Sequence, residues 1–118
     1  MIGLDTNVLV RYIMQDDARQ SPLATRLVES LSAQSPGFVS LVSVVELAWV
    51  LGSAYELERD QLVEALEGLL RTKEIVVDRA ETVWKALRIF QTANADLADC
   101  LIERSVASAG CDRTMTFD

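Results

Sequence analysis

Four acidic residues stand in four separate stretches of the chain: Asp5, Glu46, Asp99 and Asp118. Each falls where a short apolar run gives way to a turn or a helix start. Asp5 closes Met1-Ile2-Gly3-Leu4, and Glu46 follows Phe38-Val39-Ser40-Leu41-Val42. Asp99, with Asp96 three residues earlier, opens a helical stretch, and Asp118 closes Thr114-Met115-Thr116-Phe117. In a parallel α/β sheet the strand ends that feed helices lie along one edge, so acids far apart in sequence can meet there. Converging carboxylates repel one another and a cation removes that cost. The chain has no histidine, and Cys100 and Cys111 form no CxxC pair. The donor set is therefore oxygen alone, which suits a hard cation, Mg²⁺ or Mn²⁺.

Each acid also has a structural reading. Asp5 can cap a helix at Asn7, Glu46 can close a capping box begun by Ser43, and Asp96 can be an N-cap with Asp99 three residues on. Negative charge in a first helical turn is favoured in any case. Convergence on one edge is what separates a site from four caps.

The elements that would position these acids follow from periodicity. Met1–Leu4 reads as a buried strand, and Val8, Leu9, Tyr12 and Ile13 give helical spacing over 7–14. Ser21-Pro22 predicts a helix start, Phe38–Val42 a second strand, and Ser43 the start of a helix running to about Ala54. Further helices are expected over 61–72, over 80–91 and from Asp96 to near Gly110, with strands at Ile75–Val77 and Met115–Phe117. Strands alternating with helices or helix pairs predict an α/β fold: three layers, α/β/α, around a mostly parallel sheet of four or so strands.

Composition narrows the classes. At 118 residues, half hydrophobic and a quarter charged, the chain reads as one ordinary globular domain. The most apolar stretch, 39–54, is short and carries Glu46 near its middle, which argues against a membrane span. No secretory signal opens the sequence, and the two cysteines read as reduced thiols of a cytoplasmic protein. No glycine-rich phosphate loop is present, and without histidine there is no His-based triad or zinc site. Cys100 reads as a small core residue, and Trp49 and Trp84 as core or interface positions. A net charge of −7 disfavours non-specific nucleic-acid binding, although four of the 18 acids are the candidates themselves.

Four segments, in this order and spacing, resemble the PIN domain and, within it, VapC-like toxins of bacterial toxin–antitoxin pairs. They are Leu4-Asp5-Thr6-Asn7-Val8-Leu9-Val10-Arg11-Tyr12, Ser43-Val44-Val45-Glu46-Leu47, Ala95-Asp96-Leu97-Ala98-Asp99-Cys100-Leu101-Ile102 and Thr116-Phe117-Asp118. The resemblance spans essentially the whole chain, and its specificity lies in the four segments together. It implies Asp5, Glu46, Asp99 and Asp118 as the acids of the site, with Asp5, Asp99, Asp118 and Asp96 as ligands of Mg²⁺, or Mn²⁺ as its substitute. Thr6 and Asn7 match a supporting polar pair, and Arg11 is a candidate phosphate contact, although a solvated surface residue is its favoured reading.

The implied activity is metal-dependent endoribonuclease cleavage of a tRNA, rRNA or mRNA, leaving 5′-phosphate and 3′-hydroxyl ends. The implied partners are a VapB-like antitoxin and a second copy of the chain. Relatives usually continue past the TFD segment with a turn, a helix and a final strand, so residues 1–118 are expected to form one PIN domain lacking its C-terminal edge element. Two other readings stay open: a catalytically impaired PIN binding module, and a PIN nuclease of RNA maturation.

Overall fold

A computed structural model describes residues 1–117. In chain order the elements are β1 (Ile2–Gly3), α1 (Thr6–Met14), α2 (Gln20–Glu29), β2 (Gly37–Val39), α3 (Leu41–Ser53), α4 (Arg59–Leu70), β3 (Ile75–Val77), α5 (Ala80–Thr92) and α6 (Leu97–Ser108). The α/β class holds, with helices outweighing a small parallel sheet of order β1-β2-β3. Its register pairs Ile2 with Gly37 and Gly3 with Phe38, then Gly37, Phe38 and Val39 with Ile75, Val76 and Val77. Flanking backbone bonds extend this short ladder: Leu4 N–H donates to Phe38 O at 2.8 Å and Asp78 N–H to Val39 O at 2.8 Å. Because all pairings are parallel, the carboxyl ends of the three strands share one edge. The starts of α1, α3 and α5 follow directly from it.

The sheet is three-stranded among the described residues, and the strand expected at Met115–Phe117 does not form. A strand must pair its backbone and bury one face. Here Met115 is 77% exposed and Phe117 wholly so. Thr114–Thr116 run beside α5 and α6 rather than along β1.

Three helix starts also differ from expectation, each because a different side chain takes the cap. Ser40, not Ser43, caps α3: its Oγ accepts the Ser43 N–H at 3.1 Å, so the helix begins at Leu41 and absorbs the end of the expected second strand. Asp17 supplies the oxygen ahead of α2, accepting from Arg19 and Gln20 N–H at 2.9 and 2.7 Å. Ser21 is instead buried, and its Oγ donates to Arg11 O at 2.9 Å. In α4 the Glu58 N–H donates to Gln61 Oε1 at 2.9 Å, which moves the start back to Arg59.

The core is built around α3. Val44, Leu47, Ala48 and Leu51 recur on one face and are buried against α1, α4 and α6. Leu9, Leu66, Phe90, Leu97 and Leu101 close the core from those neighbours and from α5. Each such side chain contributes about 1.5–3 kcal/mol of burial. Gly37 lies where β2 passes between Leu4 and Leu31: a Cβ there would sit 2.9 Å from a methyl carbon of each. The packed α3 fixes the positions that Glu46 and Trp49, on its outer side, can occupy.

Candidate functional site

Asp5 is the N-cap of α1, two residues beyond β1, and its carboxylate accepts the Val8 N–H at 3.1 Å. The side chain remains exposed, as does Asn7, while Thr6 is buried at the helix start. Asp96 caps α6, accepting the Asp99 N–H at 2.8 Å, and Asp99 stands in the first turn. Asp5, Asp96 and Asp99 are thus caps or first-turn residues as well as candidates, and the positive end of a helix dipole favours negative charge at all three. Glu46 is different. Since α3 starts at Leu41, Glu46 lies in the second turn, beyond capping reach, and the capping-box role is removed.

Glu46, Asp96 and Asp99 line one groove of about 700 Å³ between α3 and α6. Its floor and lips are apolar: Val42 is 78% exposed, Trp49 60% and Ile102 47%. Trp49 is therefore a surface residue of this groove and not a core residue, while Trp84 is half-buried with the Arg71 guanidinium 4.9 Å over its ring. Asp5 lies outside the groove lining. Asp99 also borders a second cavity of about 570 Å³, where Thr114–Thr116 pass. The Asp118 position lies outside the described residues.

Among the described residues no cation pairs with Asp5, Glu46 or Asp96; the ion pairs are Arg11–Asp16, Arg71–Glu67, Lys85–Glu81 and Arg104–Glu103. The carboxylate donors fit a hard divalent cation in chemistry. Among the described residues, however, no group of three or more acid or thiol side chains is close enough to hold a metal ion. Cys100, behind Asp99, is buried, and burial first, then the Asp96 charge, pushes its thiol pKa up. A thiol in that state is a poor nucleophile, in keeping with a core role.

Arg11 stands apart from the groove. Its Nη1 lies 3.1 Å from Asp16 Oδ1, its Nε donates to Gln20 Oε1 at 3.0 Å, and Tyr55 O–H donates to Asp16 Oδ2 at 2.6 Å. This cluster ties the α1–α2 turn to the residues after α3, and a phosphate at Arg11 would have to compete with Asp16.

Two positions that matter to the groove have no motif in the sequence. Asp78, just past β3, accepts the Leu41 N–H at 3.4 Å and so joins Ser40 in anchoring the start of α3. Arg59, at the start of α4, donates to Phe90 O, to Ala93 O at 2.7 Å and to Ala95 O at 3.3 Å, with its guanidinium carbon 3.9 Å from the Phe90 ring centroid. The available signal was indirect: Ala93-Asn94-Ala95 offers no glycine to close the end of α5, so its carbonyls need donors from elsewhere.

The PIN domain family matches residues 2–118, and the chain belongs to it. A VapC ribonuclease of Aquifex aeolicus (strain VF5) is similar to it, 21% identical over 114 residues that cover 97% of this chain and 84% of that protein.

Proposed function

We propose that the protein is an endoribonuclease dependent on Mg²⁺ or Mn²⁺, a toxin of the VapC type neutralised by a cognate antitoxin. The observation that carries this reading is that Glu46, Asp96 and Asp99, from distant parts of a PIN-family chain, line one groove. The VapC ribonuclease among its relatives supports the choice of RNA.

Asp5, Asp99 and Asp118 would hold the cation, with Asp96 beside them. Bound there, a divalent cation supplies Lewis-acid polarisation of the phosphate and a nucleophile from water. Glu46, free of capping duty, accepts a proton from the attacking water or orients it. Asp96 fixes the first turn of α6 and hence the height of Asp99. Thr6 and Asn7 hold the entry to α1 beside Asp5. The bare groove is acidic in a chain of net charge −7, so phosphate approach depends on neutralisation of these carboxylates. The same acidity suits a basic antitoxin segment. No described helix is long and apolar enough to cross a membrane, and the setting proposed is the cytoplasm, with the toxin as a homodimer.

The test is cleavage of total RNA by the purified chain with Mg²⁺ or Mn²⁺, with 5′ ends mapped. Cleavage is expected to leave 5′-phosphates and to stop in EDTA and in Asp5→Asn. Equal cleavage by that variant, or in EDTA, overturns the reading. A second reading, a PIN module that binds RNA or a partner without cutting, is favoured by the absence of a three-carboxylate cluster among the described residues. Calorimetric titration separates the two, since saturable Mn²⁺ binding belongs only to the nuclease.

A further inference from the structure

The turn that joins α5 to α6 spans four residues, Ala93–Asp96, and its last residue is the cap from which the groove acids of α6 hang. Its own hydrogen bonds tie its two ends, Ala93 N–H donating to Ile89 O at 2.8 Å and Asp96 accepting the Asp99 N–H at 2.8 Å. Its backbone is gripped from outside by one side chain, Arg59, which reaches from the first turn of α4 to the carbonyls of Phe90, Ala93 and Ala95. The plane of the guanidinium also rests on the ring of Phe90, itself buried in the core. Three acceptors in different directions and one aromatic face require a planar fork of donors, which arginine has and lysine lacks.

We propose that Arg59 is a positioning residue for the acid pair Asp96 and Asp99, holding the first turn of α6 in place against α3. The functional part of this rests on the reading of Asp99 as a site acid. Arg59 touches neither carboxylate in the contacts described. It acts through the turn: the Ala95 carbonyl it holds belongs to the residue before the cap. A cavity of about 240 Å³ lined by Trp49, Arg59, Phe90 and Asp96 shares Trp49 and Asp96 with the groove, so the clamp borders it.

The experiment uses the full chain and the variants Arg59→Lys and Arg59→Met. Native-state amide exchange is followed at Cys100 and Leu101 in α6 and at Leu47 and Leu51 in α3, beside RNA cleavage kinetics. Exchange at Cys100 and Leu101 is expected to rise about tenfold or more in both variants, the scale for losing hydrogen bonds made by a charged donor, while α3 is unchanged. In cleavage kcat falls and KM holds. Exchange that is unchanged, that rises equally in α3, or that Arg59→Lys restores to the parent value overturns the proposal. If the parent chain shows no metal-dependent cleavage while both variants loosen α6 alone, the nuclease reading fails and the clamp stands.

Discussion

Two regions of the molecule hold carboxylates near their surface and treat them oppositely. At the corner formed by the α1–α2 turn and Tyr55, Asp16 is held by the Tyr55 hydroxyl and by Arg11, and these bonds, the Tyr55 one first, pull its pKa below the usual carboxylate value. In the groove between α3 and α6, Glu46 and Asp96 have no cationic partner among the described residues, although the chain carries 11 Lys and Arg. The carboxylates of the first corner pair with a cation, as Asp16 does, or supply oxygens to a helix start, as Asp17 does. Glu46 does neither. The difference is one of partners: Asp16 is bonded within the chain, while Glu46 stands at the groove where the proposed function needs an acid.

The largest expected effect tests that contrast directly. Glu46→Gln should lower metal-dependent cleavage by at least the roughly 10–100-fold seen when even outer partners of a metal site are removed. Its unfolding free energy should stay within the change expected of a surface substitution, about ±0.5 kcal/mol. Asp16→Asn should show the reverse pattern, lower stability with cleavage retained. A Glu46→Gln chain that loses stability and keeps activity would erase the distinction between the two regions.

The fold was legible in the sequence where periodicity is long and one-sided. Helices α1, α4 and α5 were placed by their apolar spacing, α6 by the Asp96 start, and β3 by its residues alone. What was misread came from short-range competition between caps. Ser40 and Ser43 are equally good in composition, and only the position of Asp78, brought beside Leu41 by the β2–β3 pairing, shows why the earlier one wins. The fourth strand was inferred from Met115 and Phe117, but two apolar residues do not say where a pairing edge lies. Among the candidate acids, Asp96 and Asp99 were legible as residues of a helix start, whereas the junction expected at Glu46 is the second turn of α3. Their shared groove follows from the packing of α6 on α3, a long-range contact. Arg59 was not legible, because its role lies in three backbone carbonyls and not in a residue pattern.

A middle-sized effect sharpens the groove side of the comparison. Ser40→Ala removes the oxygen that accepts the Ser43 N–H and should cost about 1 kcal/mol of stability, as for other N-cap serines. Leu41 N–H keeps Asp78 as its acceptor, so the loss should stay near that value in urea unfolding. A loss well above it would mean that Ser40 supports more of α3 than its first turn.

The smallest effect is the most specific to the Arg11 corner, because its sign depends on pH. The Tyr55 hydrogen bond first, and Arg11 after it, lower the Asp16 pKa from its ordinary 3.8. A carboxyl lowered on folding adds stability that is present above the unfolded value and lost as pH falls through the folded one. The same bond raises the Tyr55 phenol above its ordinary 10.0. A phenol raised on folding adds stability that is present below the unfolded value and lost as pH rises through the folded one. The stability difference between the parent chain and Asp16→Asn should therefore form a plateau between those two ordinary values and shrink beyond either end. Asp16 is exposed and Arg11 and Tyr55 are only half-buried, so the plateau should also shrink at about 1 M salt, where charges are screened within about 3 Å. Urea unfolding of both chains across the pH range checks this. A difference that persists unchanged below the acid end would mean that Asp16 acts by packing and not by charge, and the corner would no longer be the electrostatic opposite of the groove.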